Sequence, residues 1–130
     1  MAVARTHTLA DKELCGEPLE IREGMSKVRM KVTEKMAVDE KGLVHGGFIF
    51  SLADLSSMLA VNHPNVVLAG ANVRFTKPVR VGDDLIAEAK VKERKENRVK
   101  VITLVRNQEG NVVFQGEFFC VIPEKHVLEE

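Results

Sequence analysis

The chain has 130 residues, 45% of them hydrophobic, which suits one domain with a real core and leaves too little for two. Nineteen basic and nineteen acidic residues cancel, so no overall field draws the protein to nucleic acid or to an anionic membrane. Cys15 and Cys120 lie far apart, without metal-ligand spacing or a disulfide framework, and suit a reducing cytoplasm.

Met1 to Asp11 lacks the apolar stretch of a signal peptide, and residues 1–18 read as a polar arm, irregular or with a short helix. Val28, Met30 and Val32 then alternate with Lys27, Arg29, Lys31 and Thr33, the period of a strand with one buried face. Gly46 to Asn62 has no alternation, is rich in Leu, Ala, Met and Ser, and runs into Asn62-His63-Pro64-Asn65, where a helix stops. It is apolar on nearly every side, which predicts a helix wrapped by protein all round. Within it the longest apolar run, Phe48 to Val61, spans 14 residues with three serines and an aspartate, too short to cross a membrane. A soluble protein is expected.

Val66 to Lys77 reads as another strand, closed by Pro78 and the Gly82-Asp83 turn. Three more follow, with Leu85, Ala87, Ala89 and Val91 on one face of the first and Val99, Val101, Thr103 and Val105 on one face of the second. Val112, Phe114, Gly116, Phe118 and Cys120 share a face of the third. The short breaks at Lys95-Glu96-Asn97 and Asn107 to Asn111 suit antiparallel hairpins. The expected domain occupies residues 19–122, followed by a tail at 123–130. Its fold class is α+β, a strongly curved antiparallel sheet of five to six strands around one central helix.

Function is concentrated at the helix. Gly42 to Val73 is a stretch of 32 residues with a single formal charge, Asp54, where the chain average predicts about nine. An apolar segment excludes a carboxylate unless something pairs with it or uses it, so Asp54 is either a structural carboxylate with a buried partner or a functional group. Gly46 and Gly47 open the helix with no serine, threonine or aspartate cap, which leaves backbone amides for an anion or a developing oxyanion. The same glycines also suit close packing of loop on sheet.

Asp54 comes seven residues after Gly47, about 10 Å along a helix and on nearly the same face. One helix cannot bring both groups to a single carbon. Two helices antiparallel across a two-fold axis can, which points to a dimer with composite sites. His45 is positioned to orient a substrate carbonyl or to hold the loop. Ser57, one turn after Asp54, is within reach of hydrogen bonding to it, whereas Ser51 and Ser56 face elsewhere; without a G-x-S-x-G elbow a serine nucleophile is not expected. Phe48, Phe50 and Met58 are candidates for an acyl tunnel or for plain core. From Arg74 to Lys100 nine basic residues outnumber five acidic ones, which suits either a phosphate-bearing ligand or a solvated sheet face. Tyr and Trp are absent, so the basic segment lacks the aromatic interleaving of a nucleic-acid surface.

The run from Gly42 to Asp54, with His45-Gly46-Gly47 and the helical Leu52-Ala53-Asp54, followed by Asn72 to Asp83, resembles the hot-dog-fold acyl-CoA thioesterases of the phenylacetate-degradation (PaaI-like) type. The resemblance covers residues 19–122. It implies a sheet wrapped around one central helix, subunits paired through that sheet as homodimers or dimers of dimers, and hydrolysis of acyl-CoA without a metal. No cofactor is implied, coenzyme A being part of the substrate. Carried over by position, Asp54 activates water or attacks the thioester, and the Gly47 amide, with Gly46 beside it, polarises the thioester oxygen. His45 sets the loop, and Arg74, Lys77 and Arg80 are candidates for the CoA phosphates. One departure stands out, since Asp39 occupies a place where the family commonly has asparagine, and an ionised aspartate donates no hydrogen bond.

Two other functions fit part of the pattern. The strand from Asn72 also resembles the acyl-CoA-sensing hot-dog domains of fatty-acid-synthesis repressors, although no DNA-binding segment stands in residues 1–18. A hot-dog hydratase or dehydratase requires a catalytic histidine paired with an acid and a proline-containing loop, from which the His-Gly-Gly loop differs.

Overall fold

The alternation read from the sequence appears in a computed structural model, which describes residues 1–129, as six strands: β1 (Glu17–Arg22), β2 (Met25–Lys31), β3 (Val67–Phe75), β4 (Asp84–Lys95), β5 (Arg98–Arg106) and β6 (Val112–Val121). They form one sheet in the order β1-β2-β4-β5-β6-β3, every neighbouring pair antiparallel. A 3₁₀ turn, Glu34–Met36, and the single long helix α1, Gly46–Val61, lie between β2 and β3. This is the hot-dog arrangement, and the fold expectation holds.

Topology explains why the helix is central. After β2 the chain crosses the sheet through α1, lays β3 on the far edge, and returns to place β4 beside β2. α1 therefore rests chiefly on β2, β4 and β5, the middle of the sheet. Register irregularities at Pro18/Glu20, Leu68/Gly70, Val91/Glu93 and Val105/Arg106 supply local bends that let a sheet curl round a helix. At Gly116 on β6 a Cβ would stand 2.6 Å from the Val73 side chain, so only glycine lets β3 close on β6 there.

The inward faces are the predicted ones except at Val91 and Val112, which are half-buried, and Val113, which is fully buried in place of Val112. Val28, Met30, Val32, Leu85, Ala87, Ala89, Val99, Val101, Val105, Phe114, Phe118 and Cys120 are all buried, and they join the buried side of α1 in one core. At about 25 cal/mol per Å² of apolar surface, this burial is the main favourable term of the fold. The helix ends at Asn62, whose left-handed backbone (φ 51°) places its N–H 2.7 Å from the Met58 carbonyl.

Two expectations need correction. β1 starts at Glu17, inside the segment read as arm, because its short run Glu-Pro-Leu-Glu-Ile-Arg buries only Ile21 fully and shows little alternation to detect. The residues before it form turns and no helix. The second correction concerns α1. Leu55 to Val61 is buried throughout, but Gly47 is exposed, and Phe50, Ser51 and Asp54 are only half-buried. That three-to-four spacing is one uncovered stripe along the helix.

Candidate active site

Asp54 sits on the uncovered stripe, one turn beyond Phe50 and Ser51. Its Oδ1 is buried without a hydrogen-bond partner, a condition shared among the described residues only by Thr33 Oγ1. Burial pushes its carboxyl above the ordinary carboxylate range, while the charge of His7 pulls the other way. Ser57 does not relieve it. The Ser57 hydroxyl donates to the Ala53 carbonyl at 2.7 Å and lies 2.7 Å from Thr103 Oγ1 on β5, which commits it to the sheet. The thiol of Cys120 is pushed up to about 12, first by burial and then by the Asp54 charge, which keeps it neutral and unreactive.

The helix start is capped after all. Gly47 N–H donates to His45 Nδ1 at 2.7 Å, and Phe48 N–H donates to the His45 carbonyl at 3.1 Å. Imidazole Nδ1 is as many bonds from Cα as the side-chain oxygen of Asn or Asp, so histidine caps in the same geometry. Accepting at Nδ1 also places the ring proton of the neutral imidazole on Nε2, which leaves His45 an outward donor. His63 and His126 use Nδ1 in the same way toward the amides of Asn65 and Leu128. A Cβ on Gly47 would lie 3.0 Å from the His45 ring, and one on Gly46 would lie 3.1 Å from Phe75, so both glycines are held close by aromatic neighbours.

The remaining candidates scatter around this loop. Asp39 is exposed, and its Oδ1 accepts from Lys41 N–H at 3.0 Å and Leu43 N–H at 3.1 Å, closing the turn that leads to the helix. Arg80 is exposed and bridges Leu43 through the backbone, beside the same turn. Lys77 is exposed on the segment after β3. Arg74 shares a shallow hollow with Ile102 and Leu104, whose neighbours Val101, Thr103 and Val105 face the core, so it lies on the side of the sheet away from α1. Met58 is fully buried, which makes it core, while Phe50, half-buried, packs its ring against Phe118 and Phe114 at 5.5 and 6.5 Å. His7, which no motif marked, is brought to Asp54 by the arm across 47 residues of sequence.

A family model described as thioesterase superfamily matches residues 41–114, which run through α1, β3, β4 and β5 to the start of β6. The chain belongs to the thioesterase superfamily. Its likeness to other superfamily proteins extends to the acyl-coenzyme A thioesterase PaaI of Escherichia coli, 32% identical over 120 residues that cover 85% of each chain. It is 56% identical over 117 residues to the methylthioribose-1-phosphate isomerase of Aquifex aeolicus, and 28% identical over 127 residues to the transcription factor FapR of Caldanaerobacter subterraneus. Those matches cover 90% and 97% of this chain but only 25% and 63% of the two relatives. A crystal structure of an uncharacterized Pyrococcus horikoshii protein has the same fold, with a TM-score of 0.96, 51% identity and 98% coverage of each chain. Among the described residues, no helix is long and apolar enough to cross a membrane, and no group of three or more His, Cys, Asp or Glu is gathered to hold a metal ion.

Proposed function

We propose that this chain hydrolyses acyl-CoA thioesters to a free acid and CoA, with Asp54 as the catalytic carboxylate. The observation that carries this reading is the buried, unpaired Oδ1 of Asp54, raised in basicity by its surroundings and lying on the uncovered stripe of α1. A thioester is already activated, so a base, a polarising donor and water suffice. In the base-catalysed form, Asp54 takes a proton from water, the water oxygen bonds to the carbonyl carbon, the C–S bond breaks, and the CoA sulfur leaves with a proton. In the nucleophilic form, an Asp54 oxygen attacks the same carbon, the C–S bond breaks and the CoA thiolate leaves to take up a proton, and water cleaves the resulting anhydride to the free acid and the Asp54 carboxylate.

The polarising donor is proposed to come from a second copy of the chain. Gly47 and Asp54 of one helix are about 10 Å apart by helical rise, too far for one reacting carbon. β3 has only β6 as a neighbour, so nine residues of open edge are left for pairing with another β3, in the cytoplasmic homodimer or dimer of dimers we envisage. The Gly47 N–H has two candidate acceptors, the His45 ring and a thioester oxygen. Binding therefore requires the imidazole to yield, with Gly46 N–H and His45 Nε2–H as flanking donors. Arg80, whose backbone bridges Leu43, and Lys77 are the favoured partners of the CoA phosphates, since Arg74 lies on the sheet face away from α1.

Thiol release measured over a panel of acyl-CoA substrates tests the assignment. Turnover that disappears in Asp54→Asn supports it, and turnover that survives sinks it. The likeness to FapR favours one second reading, a non-catalytic acyl-CoA sensor. Saturable acyl-CoA binding with no thiol released at any enzyme concentration would select that alternative.

A further inference from the structure

Neither Met58, fully buried, nor Phe50, half-buried against Phe114 and Phe118, borders the cavity beside α1. A cleft of about 520 Å³ opens between residues 1–18 and α1, within the size range of small-ligand sites. Its walls include Val3, Ala4, Ala10, Ile21, Leu55 and Leu59, and no Phe, Tyr or Trp ring is among the described residues that line it. Leu55 directly follows Asp54 on the helix, and His7, whose charge reaches Asp54, also borders the cleft. Asp54 does not itself line the cleft; Leu55, the next residue of α1, and His7 link the two.

The roof of the cleft is built, not draped. Asn62, at the end of α1, accepts from Arg5 N–H at 2.7 Å and donates to the Val3 carbonyl at 3.0 Å, while Ala2 N–H donates to the Ile21 carbonyl at 2.8 Å. Thr6 is buried with its hydroxyl 2.7 Å from His7 Nδ1, and Ala4 and Ala10 pack on the core.

We propose that this cleft receives the acyl chain of the substrate and that the preferred class is an unbranched aliphatic acyl group of medium length. The proposal rests on the acyl-CoA reading of Asp54 and adds to it the substrate's hydrocarbon and its route under the arm. Mainly aliphatic walls, with His7 the one aromatic ring and Lys12 and Glu17 the charged members among the described residues that line them, favour methylene chains over aromatic acyl groups, and each methylene drawn from water into such walls improves binding about fourfold.

The test compares kcat/KM over saturated acyl-CoA substrates from acetyl to dodecanoyl, with phenylacetyl-CoA alongside. Efficiency is expected to climb about fourfold per methylene until the cleft is full. Ala10→Trp fills the cleft from the arm, and is expected to cut the octanoyl-to-acetyl ratio by at least about tenfold. Ala4→Trp, on another part of the roof, gives the same reading if the first variant folds poorly, and a ratio is insensitive to the active fraction. A ratio that stays within about twofold of the parent in both variants overturns the proposal, and so does a preference for phenylacetyl-CoA. A constant ratio with an altered oligomeric state assigns the cleft to a second copy of the chain, and overturns it too. Calorimetry with S-ethyl- and S-octyl-CoA thioethers separates the two levels of the argument. Chain-length-dependent affinity that Ala10→Trp removes, with no thioester hydrolysed, keeps the cleft and refutes hydrolysis; hydrolysis without chain-length dependence does the reverse.

Discussion

On the sheet side of α1, Ser57 gives its hydroxyl proton to the Ala53 carbonyl, and so receives one from Thr103 at 2.7 Å. One residue earlier Ser56 is matched with Ser26, which donates to the Ser56 carbonyl at 2.6 Å and lies 2.8 Å from its hydroxyl. All four side chains are fully buried and all are satisfied. Three residues before Ser57 on the same helix, Asp54 keeps an oxygen buried and unpaired. An unmade hydrogen bond in the interior costs about 1–3 kcal/mol, more for a charge. A helix that pairs its structural hydroxyls so completely and leaves its carboxylate alone divides its polar groups between holding the fold and meeting a ligand.

The strongest way to break this contrast is Asp54→Asn. If the carboxylate is reserved for chemistry, kcat/KM falls by about 10²–10⁴-fold, and the variant melts at a higher temperature because a buried charge has gone. The sign of the pH dependence follows from the raised pKa in the folded state. Below the unfolded pKa, about 3.9, the carboxyl is neutral in both states and carries no penalty. As pH rises through the folded pKa the native state must ionise a buried group, and stability is lost. The melting difference between parent and variant should therefore open above about pH 4 and vanish below it. The acid limb of kcat/KM in the parent should have its midpoint above the ordinary carboxylate value for the same reason. Equal melting at neutral pH would mean that Asp54 has a partner after all.

Gly47→Ala probes the outward side next. Its Cβ would press on the His45 ring, which lies 3.0 Å from where that atom would stand. Alanine gains about 1 kcal/mol of helix propensity over glycine, and loss of the cap costs about the same, so stability should barely move. Activity should drop by about 10–100-fold, less than outright removal of an oxyanion donor. A large loss of stability with little loss of rate would make the Gly-Gly pair a packing device.

Much of this contrast was legible in the sequence, and the reason is local. The period-two runs of β2, β4, β5 and β6 and the end of the helix at Asn62 are short-range patterns, as is the isolation of Asp54 in an apolar stretch. What stayed hidden depends on contacts across the chain or on an unusual use of a residue. β1 shows little of its own alternation. The charge of His7 reaches Asp54 from an arm that is tied to Asn62, and the Ser57 hydroxyl is taken up by Thr103 and the Ala53 carbonyl. His45 escaped as a cap because histidine is not among the usual cap residues, although its Nδ1 reaches the same amide.

The sheet side offers a smaller effect with an internal order. Thr103→Val removes one donor and leaves Ser57 still bonded to Ala53, a loss of about 1 kcal/mol by chemical denaturation. Ser57→Ala strands the Thr103 hydroxyl without an acceptor and should cost more, about 1–3 kcal/mol. The double variant should cost less than the sum, with kcat/KM unchanged throughout. Additive losses would show that the two hydroxyls do not depend on each other.

The finest test lies at Asp39, which combines the two behaviours in one carboxylate. Oδ1 closes the turn through Lys41 and Leu43 as an acceptor, and the side-chain carbonyl of asparagine would do the same. Asp39→Asn therefore keeps the turn and changes only the second atom, from a charged acceptor to an amide donor. Stability should stay within about 0.5 kcal/mol, as for an exposed substitution. If that atom faces the thioester or its water in the assembled site, kcat/KM should rise about fivefold, the worth of one ordinary hydrogen bond. An unchanged rate would confine Asp39 to the turn, and with it the whole loop before His45 to the side of the molecule that only holds the fold.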